Sequence, residues 1–170
     1  KYTVEKEYII NYLKNIDTIN VKPQKKNFVD YFDKSNCIDI KKYDLDIILR
    51  HNFGIIRGEI LKSSKYGIWS FHHGDNKINR GGPPGFWEII LNQKFIGVTL
   101  QKLTPELDGG IVIDQAYFNK HWSYIKTKDL IFEGSVSLLF KNIKNLSQNQ
   151  IKYKKSELYY NKLYKHPNIF

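Results

Sequence analysis

Methionine does not occur in this chain of 170 residues, cysteine occurs once and proline five times. With Cys37 alone no internal disulfide can form, and a reducing, cytoplasmic setting is the expectation. The lack of an initiator methionine gives a second expectation, that the natural N-terminus lies upstream of Lys1. No apolar run approaches the roughly 18–20 residues that span a bilayer, and no signal-peptide pattern opens the chain, so no membrane partner is expected. Acidic residues are scarce: 17 Asp and Glu against 27 Lys and Arg leave a net charge of +10. That excess admits nucleic acid, a phosphorylated small molecule or an acidic partner. The lysines are spread along a chain rich in Ile, Asn and Tyr throughout, which favours compositional bias over a dedicated anion site.

What the chain does have is 41% hydrophobic and 15% aromatic residues, enough for one folded domain with a sizeable core. The pattern divides into a domain over 1–150 and a basic, aromatic tail or capping helix over 151–170. Tyr8, Ile9, Tyr12 and Leu13 fall at helical spacing within Val4–Lys14. Ile19–Pro23 reads as extended, and Lys25–Ser35 as a short helix with Phe28, Tyr31 and Phe32 on one face. Leu45–Leu49 suits a strand buried on both faces, and a short helix or loop follows at Glu59–Lys65. Tyr66–His73 is a second central strand and Phe86–Leu91 a helix. Gly97–Leu103 alternates as a half-buried strand, with another strand at Ile111–Ile113. Phe132, Val136, Leu139, Ile143 and Leu146 form an amphipathic helix stripe. Thr127 and Asp129 suit that helix's start, and Gly134 within it points to a close packing contact.

Reactive side chains gather at the ends of these strands. Arg50-His51-Asn52-Phe53-Gly54 closes the first, where open α/β sheets place their ligands; it also reads as a plain strand-to-helix turn. On the second strand, alternation puts Ile68, Ser70 and His72 on one face and Trp69, Phe71 and His73 on the other. A hydroxyl and an imidazole side by side can serve one reacting group. His72, His73 and Asp75 make a poor metal set, because the two histidines point to opposite sides. Arg80-Gly-Gly-Pro-Pro-Gly85 is a tight turn with a cation and backbone N–H groups that can approach an anion, although it matches neither GxGxxG nor a P-loop. Asp108, before two glycines, is an ordinary turn residue unless the fold returns it beside His72.

Taken in order, Ser70-Phe71-His72, Arg80-Gly81, Phe86-Trp87, Gly97-Val98-Thr99 and Leu107-Asp108-Gly109-Gly110 resemble the formyltransferase family. That family's strand ends in Asn-x-His, followed by Arg-Gly, an aromatic helix, a Gly-x-Thr strand and a Leu-Asp-x-Gly turn. The resemblance is specific from about Asp44 to Ile113. It implies a Rossmann-like, open, mostly parallel sheet flanked by helices, lacking the first strand-helix unit. It also implies formyl transfer from 10-formyltetrahydrofolate to the amine of a small acceptor such as an amino sugar or sugar nucleotide. His72, Asp108 and Ser70 would be the catalytic residues. Asn52, Phe53, Gly54, Ile55, Ile56, Leu103 and Leu107 would line the folate, with His73, Arg80 and Gly81 beside the substrates. The C-terminal remainder is too short for the RNA-contacting domain of methionyl-tRNA formyltransferase, so tRNA is not an expected partner. One departure stands out: Ser70 replaces the family's catalytic asparagine. Either Ser70 donates by a closer approach, or Asn52 or Asn76 takes over, or the chain is an altered catalyst. The alternative is a non-catalytic folate-binding relative; a basic nucleic-acid-binding module is a third reading.

Overall fold

The computed structural model describes residues 11, 14–78, 80–106, 110–155 and 163–167, with Arg80 and Lys155 described in backbone only. The helix expected over Val4–Lys14 falls almost entirely outside them, as do Leu107, Asp108 and Gly109. The elements in chain order are β1 (Gln24–Lys26), β2 (Val29–Tyr31), α1 (Lys34–Lys41), β3 (Ile48–Leu49), β4 (Ile55–Arg57) and a short 3-10 helix (Glu59–Lys62). Then follow β5 (Ile68–His72), β6 (Arg80–Gly81), α2 (Phe86–Ile90), β7 (Phe95–Lys102), β8 (Ile111–Asn119), α3 (Tyr124–Ser147), β9 (Lys154–Lys155) and β10 (Leu163–Tyr164).

The central sheet runs β3-β5-β7-β8-β9. β3 pairs parallel with β5, in register Ile48 with Ile68 and Leu49 with Trp69. From β5 onward the described pairings are antiparallel. The α/β class holds; within the central sheet the parallel pairing sits at the β3 edge, and outside it β2 pairs parallel with β4 and β6 with β10. β7 is covered on both faces rather than half-buried, since Ile96 through Leu100 are all buried.

Each face of the sheet has its own cover. Trp69, Ile96, Val98, Leu100 and Ile113 pack with Ile131 and Leu138 of α3. On the other face Ile68 joins Cys37, Ile56 and Ile60 in a second, smaller core. Beyond Ile68 that face turns polar, and the loop after β5 folds back over it. Thr99 Oγ1 donates to the Gly74 carbonyl at 3.1 Å. The Tyr117 hydroxyl donates to Asp75 Oδ2 at 3.0 Å, and Asn76 Nδ2 donates to Gln101 Oε1 at 3.3 Å. Asp75 is therefore a buried fastening point, and no set of three His, Cys, Asp or Glu able to hold a metal occurs among the described residues.

Three sequence expectations need correction. Residues 25–35 form a β-hairpin and the start of α1 rather than a helix. Asn27 takes a positive φ of 55°, which an Asn tolerates at a hairpin turn. Asp33 then caps α1, accepting from the Asn36 N–H at 2.8 Å. The stripe on α3 is also different. Its buried face is Thr127, Ile131, Gly134, Ser135, Leu138 and Asn142, while Phe132 and Val136 stay 43% and 53% exposed. Leu139 and Leu146 of the expected stripe do pack against the core, and at Gly134 the helix lies too close to the sheet for a side chain: a Cβ would meet the Phe118 ring at 2.2 Å. Lastly, the described parts of the tail are extended, not helical; β9 pairs with β8 and β10 with β6.

A Cβ on Gly97 would come within 2.8 Å of the Asp75 backbone nitrogen. Gly97→Ala must push the loop off β7 and should cost about 1–3 kcal/mol, the usual penalty for overpacking. Denaturant unfolding checks this; an unchanged midpoint would show that the loop yields freely.

Candidate functional site

β5 carries its last polar residues out of the small core and into a cavity of about 210 Å³ lined by Arg50, Ile56, Arg57, His72, Leu103 and Thr104, among others. Parallel pairing explains why Arg50 belongs to it. The backbone N–H of Arg50 donates to the Trp69 carbonyl at 2.8 Å, continuing the β3–β5 ladder by one step. That step sets Arg50 beside Ser70, as Ile48 lies beside Ile68.

The Arg50 guanidinium is held by three acceptors. Nη1 donates to Ser70 Oγ at 2.9 Å, Nε to the Gly54 carbonyl at 3.0 Å and Nη2 to the Phe53 carbonyl. The peptide that carries the Phe53 carbonyl is fixed at its other end as well, because the Gly54 N–H donates to Asp30 Oδ2. Asp30 and Arg50 thus clamp one peptide unit from both sides, and the 51–54 turn is locked to β2 and β5. Burial lowers the guanidinium's pKa, and the nearby Asp30 charge opposes that shift.

The expected site residues divide as follows. His72, Ile55, Ile56 and Leu103 line the cavity. Phe53 and Gly54 reach it through their carbonyls on Arg50. Ser70 is only 1% exposed, behind Arg50 rather than in the opening. Asn52 is exposed, at a positive φ of 59°, and is not a lining residue. His73 lies on the α3 side, its ring 5.9 Å from Phe71 in a stacked arrangement and 4.9 Å edge-on to Phe132. Arg80 and Gly81 form β6, whose register is taken up by β10. At φ 103° Gly81 has room for no side chain, since a Cβ would come within 1.9 Å of the Tyr164 carbonyl oxygen. The turn expected to cradle an anion thus presents its backbone to the chain's own C-terminal strand. Asp108 and Leu107 lie outside the described residues.

Sequence reading missed Arg50, Arg57, Gln101 and Thr104 as lining residues. The signal for Arg50 was present in the β3–β5 register, which places it opposite Ser70. Arg57 Nε and Thr104 Oγ1 are buried with no partner among the described residues, and both residues line the cavity beside its apolar walls.

Burial first, then the charges of His72 and His51, pushes His73 down to about 4 from the usual 6.5. The fold holds the neutral ring, whereas the unfolded chain takes up a proton at higher pH. The stability this provides is complete above about pH 6.5 and is lost as pH falls through about 4. Thermal unfolding between about pH 7 and pH 4 should show a decline that His73→Phe flattens; equal slopes in both proteins would rule His73 out as the cause.

No family model matches the chain. It is 33% identical over 73 residues to the methionyl-tRNA formyltransferase of Prochlorococcus marinus (strain AS9601), a stretch covering 42% of this chain and 22% of that relative. The formyltransferase PseJ from Anoxybacillus kamchatkensis, in complex with UDP-4,6-dideoxy-4-formamido-L-AltNAc and tetrahydrofolate, aligns with a TM-score of 0.62 at 18% identity, over 94% of this chain and 80% of that one. A variant of HypX from Aquifex aeolicus aligns with a TM-score of 0.59 at 19% identity, over 89% of this chain and 24% of that one. The fold is that of the formyltransferases, in agreement with the resemblance read from residues 44–113.

Proposed function

We propose that this chain transfers a formyl group from 10-formyltetrahydrofolate to the amine of a small acceptor, an amino sugar or sugar nucleotide. The observation that carries the reading is the cavity at the end of β5, which His72 lines together with the apolar Ile55, Ile56 and Leu103 and the polar Arg57 and Thr104. Its volume is below the roughly 300–1,000 Å³ of a pocket for a whole drug-sized ligand, which suits one ring system with the rest of the donor outside. Ile55, Ile56 and Leu103 would cover the faces of that ring. Arg57 and Thr104 would meet its polar edge. Tetrahydrofolate and the formylated sugar nucleotide bound to PseJ support this choice of donor and acceptor classes.

In the reaction the acceptor amine attacks the formyl carbon, and His72 donates to the oxygen that gains charge. Asp108, which follows β7 in the sequence, would orient His72 and help carry the proton away from the amine. Ser70 contributes from behind the opening rather than by touching substrate.

Calorimetry with 5-formyltetrahydrofolate, paired with turnover of 10-formyltetrahydrofolate on UDP-linked 4-amino sugars, tests the reading. His72→Ala should keep donor binding and lose about 10²–10³-fold in kcat, the usual cost of one oxyanion donor. Donor binding by the wild type without turnover would favour the non-catalytic folate-binding reading. Failure of the wild type to bind the folate would contradict both.

A further inference from the structure

We infer that Arg50 is a catalytic residue of this site, supplying through its guanidinium the oxyanion donor that Ser70 is too deeply buried to supply. The inference rests on the formyl-transfer reading above and deepens it. Ser70 has its hydroxyl oxygen taken by Arg50 Nη1 at 2.9 Å and is 1% exposed. Of the side chains that could take its place, Asn76 donates to Gln101 Oε1 at 3.3 Å and is not among the cavity's lining residues; Asn52 does not line it either, and His73 packs against Phe132 on the α3 side. Arg50 lines the same cavity as His72.

The geometry around Arg50 is that of a prepared donor. Three of the five N–H groups of a guanidinium are spent on Ser70, Phe53 and Gly54. One on each Nη is left without a partner among the described residues. The three bonds fix the plane of the group before any substrate arrives, so no reorganisation is needed when charge develops. The cation sits in a partly buried site where the Asp30 charge supports it, and Asp30 is not among the cavity's lining residues. A charge-assisted N–H···O bond is roughly twice as strong as a neutral one, so a guanidinium is at least an adequate replacement for an amide here.

In the step itself, a bond forms between the acceptor nitrogen and the formyl carbon, and the C=O π pair moves onto oxygen, where Arg50 and His72 donate to it. The pair then returns, and the bond from carbon to the folate N10 breaks. One proton leaves the acceptor nitrogen and one arrives at N10. Arg50 keeps all of its protons and acts by charge and hydrogen bonding alone. Ser70 is a positioning residue for Arg50.

The test compares Arg50→Ala, Arg50→Lys and Ser70→Ala in the full chain, with 10-formyltetrahydrofolate as donor and a UDP-linked 4-amino sugar or hydroxylamine as acceptor. Arg50→Ala should lower kcat by about 10²–10³-fold, with KM for the donor and binding of 5-formyltetrahydrofolate near the wild-type values. Added guanidinium ion at millimolar concentration should restore part of the rate, which a merely structural loss would not allow. Ser70→Ala should cost clearly less than Arg50→Ala, and Arg50→Lys should fall between Arg50→Ala and wild type. Undiminished kcat in Arg50→Ala, or a larger loss in Ser70→Ala than in Arg50→Ala, overturns the inference. If neither Arg50 variant folds, Ser70→Ala decides it: a small loss supports Arg50 as the donor, and a loss as large as that of His72→Ala returns the role to Ser70. A wild type that neither binds 5-formyltetrahydrofolate nor turns over overturns the formyl-transfer reading itself, and is distinguished by its silence before any substitution.

Discussion

Everything in this fold that bears on chemistry depends on the two-residue alternation along β5. Ile68, Ser70 and His72 take one face and Trp69, Phe71 and His73 the other. The odd face packs toward α3: Trp69 is fully buried in the larger core, and the half-buried His73 continues that layer by edge contact with Phe132. The even face begins in the smaller core at Ile68 and ends at the cavity with His72. One strand thereby anchors two cores and delivers an imidazole to an opening. A slip of one residue would exchange the faces, burying His72 under α3 and leaving Trp69 in the cavity.

The neighbours of β5 complete the arrangement by pairing. β7 sets Thr99 opposite His72 and Gln101 opposite Ser70, and Thr99 and Gln101 then hold the loop that follows His72. β3 brings Arg50 against Ser70 by one further step of the parallel ladder. Asp30 and Arg50 clamp the Phe53–Gly54 peptide, so the turn after β3 is fixed to two strands. His72 and Arg50 therefore hang from paired backbone rather than from free loop, which favours precise placement.

Much of this was legible beforehand. Periodicity found β5, β7, the helix after Gly85 and the long C-terminal helix, and the alternation of Ser70 and His72 followed from the strand alone. What failed had physical causes. Lys25–Ser35 has helical spacing in its aromatics, yet Asn27 and Asp33 are a hairpin turn and a helix cap, and those local hydrogen bonds won. Of the apolar stripe on α3, Leu139 and Leu146 do pack against the core, while Phe132 and Val136 stay exposed and Gly134 sits where the Phe118 ring leaves no room for a side chain. Ser70 read as an active hydroxyl because its burial depends on Arg50, which is 20 residues away in the chain and adjacent only through strand pairing. The Arg80–Gly85 turn read as an anion cradle because nothing local announces that β10 takes its edge.

A crystal structure of the chain with 5-formyltetrahydrofolate would decide most. The expected result is the pterin between Ile56 and Leu103, with the formyl end turned toward His72 and the Arg50 guanidinium. The neighbouring apolar cavity of about 540 Å³, lined by Phe32, Ile40, Leu49 and Phe53 among others, offers the folate a different seat. Folate bound there, with the His72 opening left to solvent, would contradict the proposed chemistry at the end of β5.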